Sequence, residues 1–159
     1  MRRGPNGAGK TTLLGALAGV LPHRTGRVRI DALLADSIAY LPQQTALNRD
    51  VPLDVGDLVA LGAWPRVGAF GRLDRGLRQR VASALDRVGL GSFVNRQIDS
   101  LSTGQLQRAL FARVLLEDAR LILLDEPLNA VDATTVADLL EVVREWHRER
   151  RTVIAVLHD

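Results

Sequence analysis

Apolar positions along the chain follow a helical rhythm in some stretches and form short continuous runs in others. Leu13/Leu17 and Leu14/Ala18 pair at i,i+4 within Gly9 to Ala18, predicting a helix with Gly19 as its stop. Arg27 to Ile30 and Ser37 to Leu41 read as short strands, the second ended by Pro42. Between positions 51 and 100 the rhythm is helical. Asp54 caps a helix through Leu61 with Gly62 as its stop, and Asp74 caps a longer one through Val88, followed by Gly89. Leu77, Val81, Leu85 and Val88 line one face of that longer helix. Ser102-Thr103-Gly104-Gln105 has the spacing of a capping box and opens a helix through Leu116. Leu121 to Leu124 is a continuous apolar run, the pattern of a strand buried on both faces, and Thr152 to Leu157 reads as a second buried strand. Asp132 caps a helix from Ala133 to about Arg150, with Val136, Leu139, Leu140, Val143 and Trp146 facing inward. Strands alternating with helices predict an α/β fold with a mostly parallel sheet, interrupted by a helical insertion.

Length and composition narrow this further. At 159 residues with 47% hydrophobic content, the chain is the size of one domain with one buried core. The absence of cysteine excludes disulfides and thiolate metal sites. No apolar run approaches the ~20 residues of a membrane span, and the first residues do not resemble a signal peptide. The net charge of +3 comes from arginines spread from Arg2 to Arg151 among acidic residues, which predicts a solvated surface rather than a nucleic-acid stripe. Lys10 is the only lysine, which points to a need for a compact ammonium at that position.

Two segments carry chemistry. Gly4-Pro5-Asn6-Gly7-Ala8-Gly9-Lys10-Thr11 satisfies G-x-x-x-x-G-K-[ST], and Thr12 comes next in the helix. Small residues let backbone N–H groups curl around a phosphate, and the helix behind points its positive end at the anion. Lys10 would reach the β- and γ-phosphates and the Thr11 hydroxyl would ligate Mg²⁺. Leu121-Ile122-Leu123-Leu124-Asp125-Glu126-Pro127 is an apolar strand ending in two carboxylates. Asp125 is placed to hold a Mg²⁺ shell and Glu126 to polarise an attacking water, where α/β sheets put their ligands.

Together these residues resemble the nucleotide-binding domain of ABC ATPases, and further motifs occur in that family's order. Leu101-Ser102-Thr103-Gly104-Gln105 resembles the signature motif. Gln43, after Tyr40-Leu41-Pro42, resembles the Q-loop glutamine, with Gln44 as the alternative register; Asn129-Ala130-Val131-Asp132 resembles the D-loop and His158 the switch histidine. The resemblance implies a nucleotide-binding core at 1–43 and 117–159, with a helical subdomain at 44–116 that includes the signature helix. It implies ATP and Mg²⁺ as cofactors, with ATP held between the phosphate loop of one domain and Ser102, Thr103, Gly104 and Gln105 of a second. Asp132 would also face that nucleotide, Gln43 would contact the Mg²⁺, and Glu126, His158 and Gln43 would carry catalysis.

The stretch from Tyr40 to Gln43 and Val51-Pro52-Leu53-Asp54-Val55-Gly56-Asp57-Leu58-Val59 is similar to the ATPases of bacterial zinc and manganese importers, as are Arg144-Glu145-Trp146-His147 and Val156-Leu157-His158-Asp159. That similarity implies a cytoplasmic subunit on the inner face of the membrane. Its partners would be a second ATPase domain, a permease docked on the helical subdomain and, indirectly, a substrate-binding protein, with no nucleic acid. A soluble ABC ATPase not coupled to transport, or a non-catalytic remnant, are the alternatives. Three departures from the family pattern stand out. Thr103 occupies a usual glycine position; Met1-Arg2-Arg3 stands where the family has an apolar strand and an adenine-stacking aromatic; and the sequence ends one residue after His158. The expectation is a fragment of a longer domain.

Overall fold

The computed structural model describes residues 9–21, 27–31, 34, 37–43, 51–64 and 74–157. Their order is α1 (Lys10–Leu17), β1 (Ile38–Leu41), α2 (Val55–Ala60), α3 (Arg75–Arg87), α4 (Thr103–Glu117), β2 (Leu121–Asp125), α5 (Ala133–Arg148) and β3 (Thr152–Val156). Short 3-10 turns lie at Leu61–Ala63, Gly91–Phe93 and Ile98–Ser100. None of the helices among the described residues is long and apolar enough to cross a membrane.

Helix starts obey their capping residues. Asp54, Asp74 and Asp132 each accept the backbone N–H three residues on, and Ser102 and Gln105 form the reciprocal capping box. The three strands form a parallel sheet in the order β1-β2-β3, so β2 has a neighbour on both sides. Every residue of β2 is buried. Successive side chains of a strand point to opposite faces, and β2 accordingly divides the interior in two. Leu121 and Leu123 pack with Leu14 of α1, while Ile122 and Leu124 enter the larger core built from α2 to α5. In that larger core Phe111 of α4 and Trp146 of α5 stack with ring centroids 5.7 Å apart.

Four expectations are corrected. Arg27 to Ile30 forms no strand, because no described segment pairs with it; Ile30 nevertheless packs beside Leu14. Thr152 to Leu157 yields the strand β3 but not a buried one. Its Ile154 is 40% exposed, since β3 has a strand neighbour only on the β2 side among the described residues. Leu140 faces outward on α5, and Val142 takes the inward position beside Leu139 and Trp146. Gly62 does not stop α2 but sits in the 3-10 turn after it, where a Cβ would lie 2.3 Å from the Arg113 carbonyl oxygen. It is glycine because two backbones touch there.

Arginine is also less uniformly solvated than its spread predicts. Arg108, Arg113 and Arg151 keep only 20%, 22% and 19% of their side chains exposed, and each bonds a backbone carbonyl. Near Arg113, burial pushes the Glu117 carboxyl from 4.5 up to about 7, against the opposing pull of the Arg113 charge. Folded Glu117 therefore holds its proton more tightly than the unfolded chain does. Its contribution to stability is full below about pH 4.5 and falls as pH rises to about 7, by on the order of 3 kcal/mol. Glu117→Gln should consequently flatten the decline in urea-unfolding free energy between pH 5 and pH 8. An identical decline in the variant and the parent would show that Glu117 does not set it.

Candidate functional site

The site forms where the sheet ends. Leu41 of β1 pairs with Leu124 of β2, so Gln43 and Glu126 each lie two residues beyond the same rung of the ladder. That shared offset brings them together: Gln43 Nε2 donates to Glu126 Oε2 at 3.0 Å, although the two are 83 residues apart in sequence. Asn129 Nδ2 donates to the same oxygen at 3.3 Å. The Glu126 backbone N–H donates to the Val156 carbonyl at 2.9 Å, tying the residue to β3. Glu126 has φ +49°, the left-handed region that a non-glycine residue adopts at a cost of about 1–2 kcal/mol. Strain of this kind is held where surrounding contacts over-determine the backbone, and here the Glu126 N–H is held by Val156 and its carbonyl by the Asn129 N–H at 3.2 Å.

Asp125 is 1% exposed, and neither carboxylate oxygen has a hydrogen-bond partner among the described residues. A buried acid without partners costs several kcal/mol unless something completes it. A hard divalent cation with oxygen ligands is the kind of group that would, so the donor present fits Mg²⁺. Tyr40 lies close enough to feel this acid: burial first, and the Asp125 charge second, hold its phenol above the ordinary range.

A second centre lies at the starts of α4 and α5. Ser102 Oγ accepts the Gln105 N–H at 3.2 Å, and Gln105 Oε1 accepts the Ser102 N–H at 3.0 Å. Because Ser102 uses an oxygen lone pair in the cap, its hydroxyl proton can serve a ligand. Gln105 has its carbonyl oxygen committed to the helix start. Asp132 accepts from Thr135 N at 2.9 Å and from Thr135 Oγ1 at 2.7 Å, and these bonds pull its carboxyl below the usual range. The two helix starts are in contact. A Cβ on Gly104 would lie 3.0 Å from Thr135 Oγ1 and 3.3 Å from Asp132 Oδ2. Arg108 fastens the pair through Asp138 at 2.6 Å and Thr135 Oγ1 at 3.4 Å.

Of the phosphate-loop residues, Gly9 is the N-cap of α1, Lys10 is half-buried, and Thr11 and Thr12 are exposed. Gly4, Pro5, Asn6, Gly7 and Ala8 lie outside the described residues, as do His158 and the alternative glutamine, Gln44. Two contributors escape a reading of the sequence. Asn129 enters it only as part of a resemblance, yet it bonds the Glu126 carboxylate. Gln107 is 3% exposed and donates to the Pro127 carbonyl, holding the turn after β2. A polar residue flanked by Leu106, Ala109 and Leu110 on an otherwise apolar helix face is the available signal.

The family described as ABC transporter matches residues 3–129. A zinc transport system ATP-binding protein of Treponema pallidum is 39% identical over 98% of this chain and 60% of its own length. A manganese transport system ATP-binding protein of Listeria monocytogenes is 38% identical over 98% of this chain and 67% of its own. The dimeric post-hydrolysis structure of an ATP-binding cassette bound to ADP and Pi superposes with a TM-score of 0.81 at 25% identity, covering 98% of this chain and 72% of that one. The chain thus spans about 60% of the length of the first of these relatives.

The contact at Gly104 can be tested by itself. Gly104→Val should force the starts of α4 and α5 apart and lower the unfolding free energy by about 1–3 kcal/mol in urea titration. An unchanged midpoint would mean that the two helix starts are not packed together.

Proposed function

We propose a function on one premise: the chain belongs to the ABC transporter family. It binds ATP with Mg²⁺ and hydrolyses the nucleotide at an interface shared by two such domains. The observation that carries this reading is the Asp125 carboxylate, buried and without a partner among the described residues, beside the Gln43–Glu126 pair at one end of a parallel sheet. Ligands of α/β sheets bind at that end.

In this reading the phosphate loop from Gly4 to Thr12 wraps the phosphates, Lys10 neutralises them, and Thr11, Asp125 and Gln43 would hold the cation. Bound Mg²⁺ would supply charge neutralisation for the transferred phosphoryl group. Glu126, restrained by Gln43 and Asn129, would orient and deprotonate the attacking water. His158 lies two positions beyond the last residue of β3 and would sense the γ-phosphate. Ser102, Thr103, Gly104, Gln105 and Asp132, clustered at two joined helix starts, would close on the nucleotide of the partner domain. Residues 44–116 would act as a helical subdomain that docks on a membrane permease, and 1–43 with 117–159 as the nucleotide-binding core. The relatives named for zinc and manganese transport support a role in importing a divalent metal ion, with the chain on the inner face of the membrane and a substrate-binding protein as a more distant partner.

Two substitutions test the catalytic reading. Glu126→Gln should keep ATP binding, lower turnover by about 10²-fold or more, and accumulate an ATP-bound dimer in sedimentation. Normal turnover would remove Glu126 from the mechanism. Lys10→Ala and Lys10→Arg should both weaken nucleotide binding, because a planar guanidinium does not replace a compact ammonium. Full binding by Lys10→Arg would show that the single lysine is incidental.

A further inference from the structure

We propose that Arg113 is a positioning residue, tying the signature helix α4 to the end of β1 and thereby holding Gln43 within reach of Glu126. Its effect on turnover rests on the ATPase reading above; the contact itself does not.

Arg113 lies ten residues into α4, about 15 Å along the helix from its start at Thr103. Its Nη2 donates to the Tyr40 carbonyl at 2.8 Å. Tyr40 belongs to β1, which pairs only with β2 among the described residues, so this carbonyl is met by a guanidinium from the helical layer. The backbone of the same residue is the contact point for Gly62, where an added Cβ would lie 2.3 Å from the Arg113 oxygen. The turn after α2, the signature helix and the sheet therefore meet at one side chain and its own carbonyl.

Beyond Tyr40 the chain has little slack. Leu41 is buried and paired with Leu124, and Pro42 has a fixed φ. A shift of the Tyr40 carbonyl is passed to Gln43, whose amide sits 3.0 Å from the Glu126 carboxylate. As a stabiliser Arg113 is poorly used: its Nε is buried without a hydrogen-bond partner among the described residues and stands 3.8 Å from Glu117. Such an orphaned donor is destabilising. A rigid, planar fork suits a spacer better than it suits a core.

The test uses the full chain carrying Arg113→Met together with Glu117→Gln, so that no buried carboxylate loses its cation. ATP affinity should stay within about twofold while kcat falls at least about fivefold. Arg113→Lys, which restores one donor, should recover part of that loss. In a Gln43→Ala background the Arg113 replacement should cause no further fall in kcat, as expected of a residue acting through Gln43. An equal proportional fall in both backgrounds would overturn the proposal. If the parent chain does not hydrolyse ATP, the ATPase reading fails and the contact is judged by NMR instead. The Gln43 side-chain amide of the Arg113 variant should then resonate where Glu126→Ala, which removes the acceptor, puts it in the parent. A Gln43 amide unchanged from the parent would overturn the proposal.

Discussion

The burial of Asp125 is the constraint on which the rest of this structure depends. Its carboxylate sits at the end of β2, 1% exposed, with no hydrogen-bond partner among the described residues. Holding it there costs several kcal/mol. The four apolar residues that precede it offset that cost, because each is buried by a layer on its own face and contributes about 2 kcal/mol. A strand with one exposed face would leave the acid accessible to water and hydrated. The two-sided core is thus what keeps an unsatisfied acid at the sheet end, and an unsatisfied acid is what a cation can use.

Neighbouring features derive from the same strand. Glu126 leaves β2 in a left-handed conformation, tied to β3 through its N–H and to Gln43 and Asn129 through its carboxylate. Gln107 of α4 fixes the turn at Pro127, so the helix that begins with Ser102 also braces the loop after the acids. The joined starts of α4 and α5 form a second polar centre, set by Gly104 having no side chain. The fold therefore holds two distinct groups of polar residues, linked by α4 and by the Asp125-to-Asp132 segment.

Much of this is legible in the sequence because local chemistry determines it. Aspartate and serine caps place four helix starts, and the run at Leu121 marks the central strand. Resemblance gives Gln43 and Glu126 each a role but not their hydrogen bond, since a contact across 83 residues depends on strand register. Burial of β3 is over-read from its sequence, because an apolar run says nothing about which layers cover it. Arg108 and Arg113 read as solvated surface by their spacing. Their partners are carbonyls and carboxylates on other elements, which no local pattern reveals.

The most direct test of the central claim, a nucleotide site completed by a second domain, is complementation between two inactive chains. Lys10→Ala disables the phosphate loop, and Ser102→Arg disables the helix start that would face the partner's nucleotide. Each variant alone should hydrolyse no ATP. Mixed in equal amounts they should regain measurable turnover, because one of the two sites in a mixed dimer then holds an intact Lys10 from one chain and an intact Ser102 from the other. A mixture as inactive as either variant alone, with mixed dimers demonstrated by crosslinking, would contradict the shared site.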